Sequence, residues 1–280
     1  PFVRKPDGTV DQFVTDGSQY ARACYTGPYT ANHIEAALVR QVRQRPIHVL
    51  ERTMIATLLP TEGGGHVAGA LAVHESGMLT RIEAKAVVLA TGGAGQVFAV
   101  SVFPPDCTGD GYAMAYRLGA QLVNLEFIQI GLSSLATNLA CSGSMMRALP
   151  RVVDESGREF LPDYFPPGTG WTRIHNVLFA KGASWPVSWR EPSRVIDIAV
   201  FYERAAGRKV YLDYSANPAD LDLDKLDEKV QRWYCDVKGV DLASLAIRSS
   251  PLERLRAINP QIVQWLVERG IDLAAGEAVE

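Results

Sequence analysis

The sequence predicts an α/β protein built from two units. Its 280 residues exceed the ~150 typical of one domain, which favours two. Residues 86–90 are apolar on both faces, as in a central parallel strand that is covered on two sides. Beyond about Gln129 the composition changes to an irregular stretch rich in Pro, Trp and Gly. We therefore expect a first unit at residues 1–129 and a second unit at residues 130–280.

The first unit begins with a helix and a strand meander. Apolar residues recur at helical spacing over residues 31–45, and Asn32 with Glu35 forms a usable capping box. Short runs of β-branched and apolar residues follow, divided by glycine turns, and predict antiparallel strands. These three strands are expected at residues 48–59, 67–73 and 79–83.

The later elements are less regular. After the strand at residues 86–90, a helix is expected over 112–118, ending at Gly119, with a strand at 121–125. Residues 161–189 show no clear periodicity. Regular pattern resumes at residues 194–206, followed by a strand at 209–214, a helix near 221–237, and short helices at 242–247 and 260–269.

Composition excludes several classes of function. The net charge of −3, from 28 basic and 31 acidic side chains, and the lack of a basic stripe argue against nucleic-acid binding. No apolar run approaches the ~20 residues that span a bilayer, and no leader precedes a cleavage site. Four cysteines without a CxxC pair favour a reducing, cytoplasmic compartment. No metal site is expected, because the spacing of His33, His48, His66 and His74 suits no metal.

Two glycine-rich loops carry the strongest chemical signal. The apolar run ends in Thr91-Gly92-Gly93-Ala94-Gly95, and Thr108-Gly109-Asp110-Gly111 opens the next helix. Because glycine has no side chain, a ligand can approach the backbone N–H groups of these loops closely. The alternatives are a plain tight turn for the first loop and a helix-capping role for Asp110. If both loops serve a ligand, we expect them to lie side by side.

With these loops in this order, the sequence resembles the flavoproteins of succinate dehydrogenase and fumarate reductase, together with L-aspartate oxidase. The resemblance covers nearly the whole chain. The matching motifs are Ala90-Thr91-Gly92-Gly93, Thr108-Gly109-Asp110-Gly111, Gly119-Ala120, Glu126-Phe127-Ile128-Gln129, Asp16-Gly17-Ser18 with Arg22, Gly157-Arg158-Glu159-Phe160-Leu161, and a strand at residues 209–214.

The resemblance implies a partial Rossmann-like FAD-binding domain with an inserted α+β capping domain. It also implies that hydride passes between a small organic acid and the flavin, and that a separate electron-transfer partner carries the electrons onward. Such a partner would also supply any attachment to a membrane. The residues implied to bind FAD are Ala90, Thr91, Gly92, Gly93 and Asp110.

The chain departs from the family pattern at the substrate site. Gly131 stands where dicarboxylate enzymes carry a His, and Ser142-Gly143 stands where they carry Thr-Glu. Arg194 matches the cap-domain Arg that moves the proton, with a shift of one position, and is the candidate catalytic residue. Its alternative role is that of a salt-bridging Arg at a helix start.

Three residues are candidates for substrate binding. Ser142 occupies the family's Thr-Glu position, and Arg147 has the guanidinium that clamps a carboxylate. His175 titrates near neutrality. The alternatives are surface or interdomain charge for Arg147 and a solvated loop position for His175.

The absence of a GxGxxG motif before Gly92 leads us to expect an internal piece of a larger flavoprotein, inactive by itself. Two other interpretations stay open. One is an adenylylsulfate-reductase-like flavoprotein with a divergent substrate. The other is a non-catalytic protein that keeps the flavin fold.

Overall fold

Contacts divide the chain into two units. The computed structural model describes residues 2–5, 7–13, 20–27, 29–99, 101–126, 131–183 and 188–280. One unit joins residues 1–36 to residues 129–280, and the other comprises residues 37–128. The sequence prediction groups residues 1–36 with the smaller unit instead. Their contacts with the larger unit include a hydrogen bond from Tyr29 Oη to Glu268, the residue directly after α9, at 2.9 Å.

Within the described ranges, the strands are short and the helices are of moderate length. The strands are β1 (Gln12–Phe13), β2 (Ala23–Cys24), β3 (Thr53–Pro60), β4 (Val67–His74), β5 (Leu79–Glu83), β6 (Arg151–Asp154) and β7 (Val210–Asp213). The helices are α1 (Thr30–Arg43), α2 (Asp110–Arg117), α3 (Ser144–Arg147), α4 (Trp171–Lys181), α5 (Arg194–Ala205), α6 (Glu228–Arg232), α7 (Leu245–Ser249), α8 (Pro251–Ile258) and α9 (Pro260–Val267). None of these helices combines the length and apolarity needed to cross a membrane.

The smaller unit is built on the predicted meander. β4 lies between β3 and β5, and both pairings are antiparallel. Gly69 of β4 has no room for a side chain, since a Cβ there would lie 1.9 Å from the carbonyl oxygen of Ile82. Met114 of α2 is buried against Leu58 and Ala70, so the helix covers one face of this sheet. The meander and the 112–118 helix are therefore confirmed.

Two predicted strands are wrong. Residues 86–90 and 121–125 form no strand, and Val88 is 88% exposed. A strand needs neighbours that supply backbone hydrogen bonds, and no segment in the described part of the chain pairs with either run. Apolar composition alone does not create those neighbours.

The predicted helix at residues 31–45 is confirmed as α1, but its capping box is wrong. The helix begins at Thr30 and not at Asn32. Thr30 Oγ1 accepts a hydrogen bond from the Thr26 N–H at 3.0 Å and donates one to the Gly27 carbonyl at 2.8 Å. This threonine therefore organises the turn that starts the helix.

The larger unit packs around α4, which lies in the stretch without periodicity. Ile174 and Leu178 of this helix are buried in the main core. Asn176 exchanges two hydrogen bonds with Asp227, at 2.9 and 3.0 Å. A helix that is buried on most sides has no polar stripe, so helical periodicity is absent from its sequence.

The remaining elements of this unit follow the predictions in part. The strand predicted at residues 209–214 is β7, and it pairs with β6, which the sequence prediction lacks. The helix predicted near residues 221–237 is divided into a 3₁₀ turn, the short α6 and a π-helical turn. α5 and α9 occupy two of the predicted regular segments.

Candidate functional site

The two glycine loops touch in the smaller unit, as the sequence predicts. A Cβ on Gly111 would lie 2.0 Å from Thr91 Oγ1, and a Cβ on Gly109 would lie 2.9 Å from Ala94 Cβ. No side chain fits between the loops at these points. The glycines therefore allow the backbone of one loop to rest on the other.

Further hydrogen bonds tie the first loop to the segment before the second. The Gln96 N–H donates to the Cys107 carbonyl at 3.0 Å, and the Gln96 side-chain amide donates to the Phe103 carbonyl at 2.6 Å. Gly92 lies in the left-handed region at φ 73°, where a side chain would be strained. The turn is thus held in one shape by several contacts.

Unused polar groups remain on this surface. Within the described part of the chain, the N–H groups of Gly92 and Gly93 donate to no carbonyl or side chain. Gly93 faces open space, because a Cβ placed on it would have no atom within 4 Å. Ala90, Thr91 and Gly92 are exposed. Open space and free donors suit a ligand that carries phosphate or hydroxyl oxygens.

Asp110 does not cap the helix. The N-cap of α2 is Gly109, which lies at φ 83°, and Asp110 is the first helical residue. The Thr108 hydroxyl donates a short hydrogen bond to Oδ2 of Asp110, whose side chain is exposed. This bond orients the carboxylate, between two glycines that contact the Thr91 loop. The helix-capping alternative for Asp110 is therefore wrong.

The larger unit contains a cavity of about 490 Å³ that includes one predicted substrate residue, Ser142. Its walls come from Val3, Tyr25 and Gly27, from the chain around α3, and from the junction of α8 and α9. Lys238 also lines it, although the sequence prediction of the site does not include this residue. Two features of the sequence point to this site: Lys238 follows the apolar helical stripe of residues 221–237, and Trp265 lies on α9.

Arg147 lies in the core of the larger unit. It is 3% exposed, and its guanidinium lies 4.7 Å from the ring centroid of Trp233 and 5.7 Å from that of Phe179. Stacking on aromatic faces stabilises a buried cation. Neither the surface location nor the open carboxylate clamp fits this environment, and Arg147 does not line the cavity.

His175 is also a core residue. It is 1% exposed and stacks on Trp171 with ring centroids 5.7 Å apart. Neither ring nitrogen has a hydrogen-bond partner among the described residues. Burial, with the nearby positive charge of Arg254, lowers its pKa to about 4. The solvated-loop alternative is wrong, and its role in substrate binding gains no support from this placement.

Arg194 is the first residue of α5 and is exposed. Its Nη1 donates to the carbonyl of Glu191 at 3.0 Å. No salt bridge of Arg194 occurs among the described residues. The structure thus leaves this guanidinium accessible, and its catalytic role stays a prediction.

Other predicted positions add little to the site. Residues 14–19 and 127–130, which carry two of the family-like motifs, lie outside the described residues. Among the described residues, no three His, Cys, Asp or Glu side chains are grouped as metal ligands. The four cysteines are free thiols, and burial raises the pKa of Cys141 to about 12.

Comparison with known proteins adds independent information. A family model described as "FAD binding domain" matches residues 1–268. One of the subunits of the fumarate reductase (CoM/CoB) of Methanothermobacter marburgensis is 29% identical over 263 residues, which is 90% of this chain. The L-aspartate oxidase of a Nostoc species is 37% identical over 152 residues, or 52% of this chain.

A solved structure is similar over most of the fold. A mutant FrdA of Escherichia coli quinol fumarate reductase aligns with a TM-score of 0.57 and 26% identity over 89% of this chain. The chain spans 43% of the M. marburgensis protein, 26% of the Nostoc protein and 42% of the E. coli chain.

Proposed function

The chain belongs to the FAD binding domain family, and on that premise we propose that it is part of an FAD-dependent oxidoreductase. The proposed reaction passes hydride between a small organic acid and the flavin. The observation that carries this proposal is the contact between Gly111 and Thr91, which leaves the free N–H groups of Gly92 and Gly93 on one surface. In this assignment, residues 1–129 belong to an FAD domain and residues 130–280 to a cap.

The residues present fit the cofactor. The N–H groups of Gly92 and Gly93 would donate to oxygens of the adenosine diphosphate half. The Thr108 hydroxyl donates to Oδ2 of Asp110. The other carboxylate oxygen, Oδ1, could therefore accept a hydrogen bond from a cofactor hydroxyl. Ala90 and Thr91 complete the exposed rim of the loop. When bound, FAD supplies a ring system that takes or gives a hydride.

Arg194 is proposed to move the proton that accompanies the hydride. A guanidinium is a weak acid, so this role requires that the side chain be positioned firmly against substrate. The hydrogen bond from Nη1 to Glu191 fixes one edge of the guanidinium and leaves the other edge to donate. Ser142, in the cavity, is proposed to contact substrate.

Electrons are proposed to leave through a partner subunit. The M. marburgensis relative is named as one subunit of a fumarate reductase. We also propose that the protein works in the cytoplasm, which the four free thiols support.

The test uses the full encoded protein that contains this chain. Purified protein is expected to show flavin absorbance, and a panel of organic acids added without oxygen is expected to include one that bleaches it. Arg194→Ala is expected to abolish bleaching while flavin content stays unchanged. Arg190→Ala, an exposed arginine in the same turn region, is the matched control and should bleach normally.

Each outcome leads to one conclusion. Protein without flavin contradicts FAD binding. Flavin that no acid bleaches contradicts the oxidoreductase and supports a non-catalytic flavin protein. Normal bleaching by Arg194→Ala removes this arginine from the mechanism and leaves the activity in place.

A further inference from the structure

The cavity of the larger unit has the size and lining of a small-molecule site. Its volume is about 490 Å³, within the range of ~300–1,000 Å³ of ligand pockets. Large apolar side chains form much of its lining: Val3, Leu139, Met145, Ile258, Ile262 and Trp265. Such walls favour a ligand with an apolar body.

Part of the cavity wall comes from the N-terminal residues, which contact α9. Gly27 lies close to the Gln261 side chain, because a Cβ on Gly27 would be 1.6 Å from its Oε1. The Val3 N–H donates to the Tyr25 carbonyl at 3.0 Å, which joins two of the lining residues. This wall of the cavity is therefore tied together by backbone and by contact with α9.

Lys238 also lines this cavity, and among the described lining residues no other side chain is charged. Its ammonium lies 5.8 Å from the ring centroid of Tyr25 and 6.0 Å from that of Trp233. Burial lowers the pKa of Lys238, and the charge of Asp11 acts in the opposite direction. The Asp11 carboxylate itself accepts a hydrogen bond from Tyr25 at 2.5 Å.

Neutral donors also line the cavity. Asn259 Nδ2 donates to Ser144 Oγ at 2.9 Å, so the Ser144 hydroxyl keeps its own proton for another acceptor. Ser142, two residues away in the sequence, also lines the cavity. A cation and hydroxyl donors around an apolar space are the groups that bind one carboxylate.

We propose that this cavity binds an organic acid with a single carboxylate and an apolar body, and that Lys238 holds the carboxylate. The proposal deepens the proposed function, on which it rests, by naming the substrate class. A dicarboxylate is disfavoured because its second charge would lie against apolar walls without a counter-charge.

The experiment measures ligand binding by calorimetry on the full encoded protein. The probes are phenylacetate, its uncharged analogue phenylacetamide, and succinate as a dicarboxylate. Wild-type protein is expected to bind phenylacetate about ten-fold or more tightly than either of the others. Lys238→Met is expected to remove this preference, and Lys238→Arg to keep most of it. Lys229→Met, at an exposed lysine, is the matched control and should bind like wild type.

Other results overturn the proposal. These are no binding of phenylacetate, tighter binding of succinate, or an unchanged preference in Lys238→Met. Thermal unfolding of each variant shows whether the fold is retained. Lys238→Arg keeps the positive charge but changes the shape of the side chain, so it separates these two effects on binding. Flavin content is read in the same samples. Loss of flavin counts against the proposed function, whereas loss of the carboxylate preference with flavin in place counts against the Lys238 site alone.

Discussion

Replacing His175 by Phe should make the larger unit resist acid better. The histidine is buried and stacked on Trp171, and burial lowers its pKa from 6.5 to about 4. Between these values the unfolded chain binds a proton that the folded chain does not. Stability contributed by His175 therefore falls as pH falls. Arg254 opposes protonation of the ring and Asp220 favours it, with burial the larger cause.

The size of the effect follows from the two pKa values. At pH 5 the unfolded histidine is almost fully protonated and the folded one almost neutral, so linkage costs ~2 kcal/mol relative to pH 8. At pH 8 both states are neutral and the linkage contribution is absent. Phenylalanine does not titrate and keeps a ring against Trp171. It also removes two buried nitrogens that lack partners among the described residues.

Tryptophan fluorescence in urea measures this difference, since all five tryptophans lie in residues 129–280. Wild type is expected to lose ~2 kcal/mol more than His175→Phe between pH 8 and pH 5. Other titrating groups cancel in that comparison. His175→Leu tests whether ring size matters, and exposed His48→Phe is the control. Parallel pH profiles for wild type and both His175 variants would rule out this linkage.

Three further substitutions test the packing. Tyr214→Phe removes a buried hydrogen bond to the Met145 carbonyl, 2.9 Å long, and should cost ~1–2 kcal/mol in urea unfolding; no change contradicts this. Arg254→Met leaves the buried carbonyls of Ala148 and Ile247 without this donor and should cost ~3 kcal/mol or more; a loss under ~1 kcal/mol would contradict this. Gly69→Ala places a Cβ 1.9 Å from the Ile82 carbonyl oxygen and should speed hydrogen exchange in β5; unchanged exchange would contradict this.

Local signals in the sequence were enough to predict some elements. The β3–β5 meander has alternating β-branched residues and glycine turns, so its pairing depends on neighbours in the chain. α2 ends at Arg117, and Gly119, just past the C-cap Leu118, lies in the left-handed region at φ 89°, as a glycine that terminates a helix does. In these cases the residues that determine the structure are close in sequence.

Elements that depend on distant residues were not predicted. α4 is buried on most sides by partners such as Trp233 and Tyr234, whose rings contact Phe179, and its sequence carries no amphipathic stripe. Residues 86–90 have the composition of a buried strand and yet lack strand neighbours among the described residues. Whether a segment forms a strand, and whether it is buried, depends on its surroundings as much as on its own sequence.

The candidate site divides in the same way. Contact between the two glycine loops was predictable because glycine itself signals close backbone approach. The burial of Arg147 and His175 was not, because a guanidinium and an imidazole give no sign of the aromatic rings that cover them. Lys238 was missed because its cavity is closed by residues such as Val3, from the far end of the chain.

The proposed contact between FAD and the backbone of the Thr91 loop underlies the whole functional assignment. Gly93 is the position at which to probe it, since a Cβ there meets no atom within 4 Å and its φ is not in the left-handed region. Alanine at this position should leave folding intact and obstruct only a bound cofactor. The measurement is flavin per polypeptide in the full encoded protein, with Gly170→Ala as a control in equally open space. We predict a loss of several-fold or more in Gly93→Ala with an unchanged melting temperature of the flavin-free protein, and full flavin content in that variant would contradict the proposed contact.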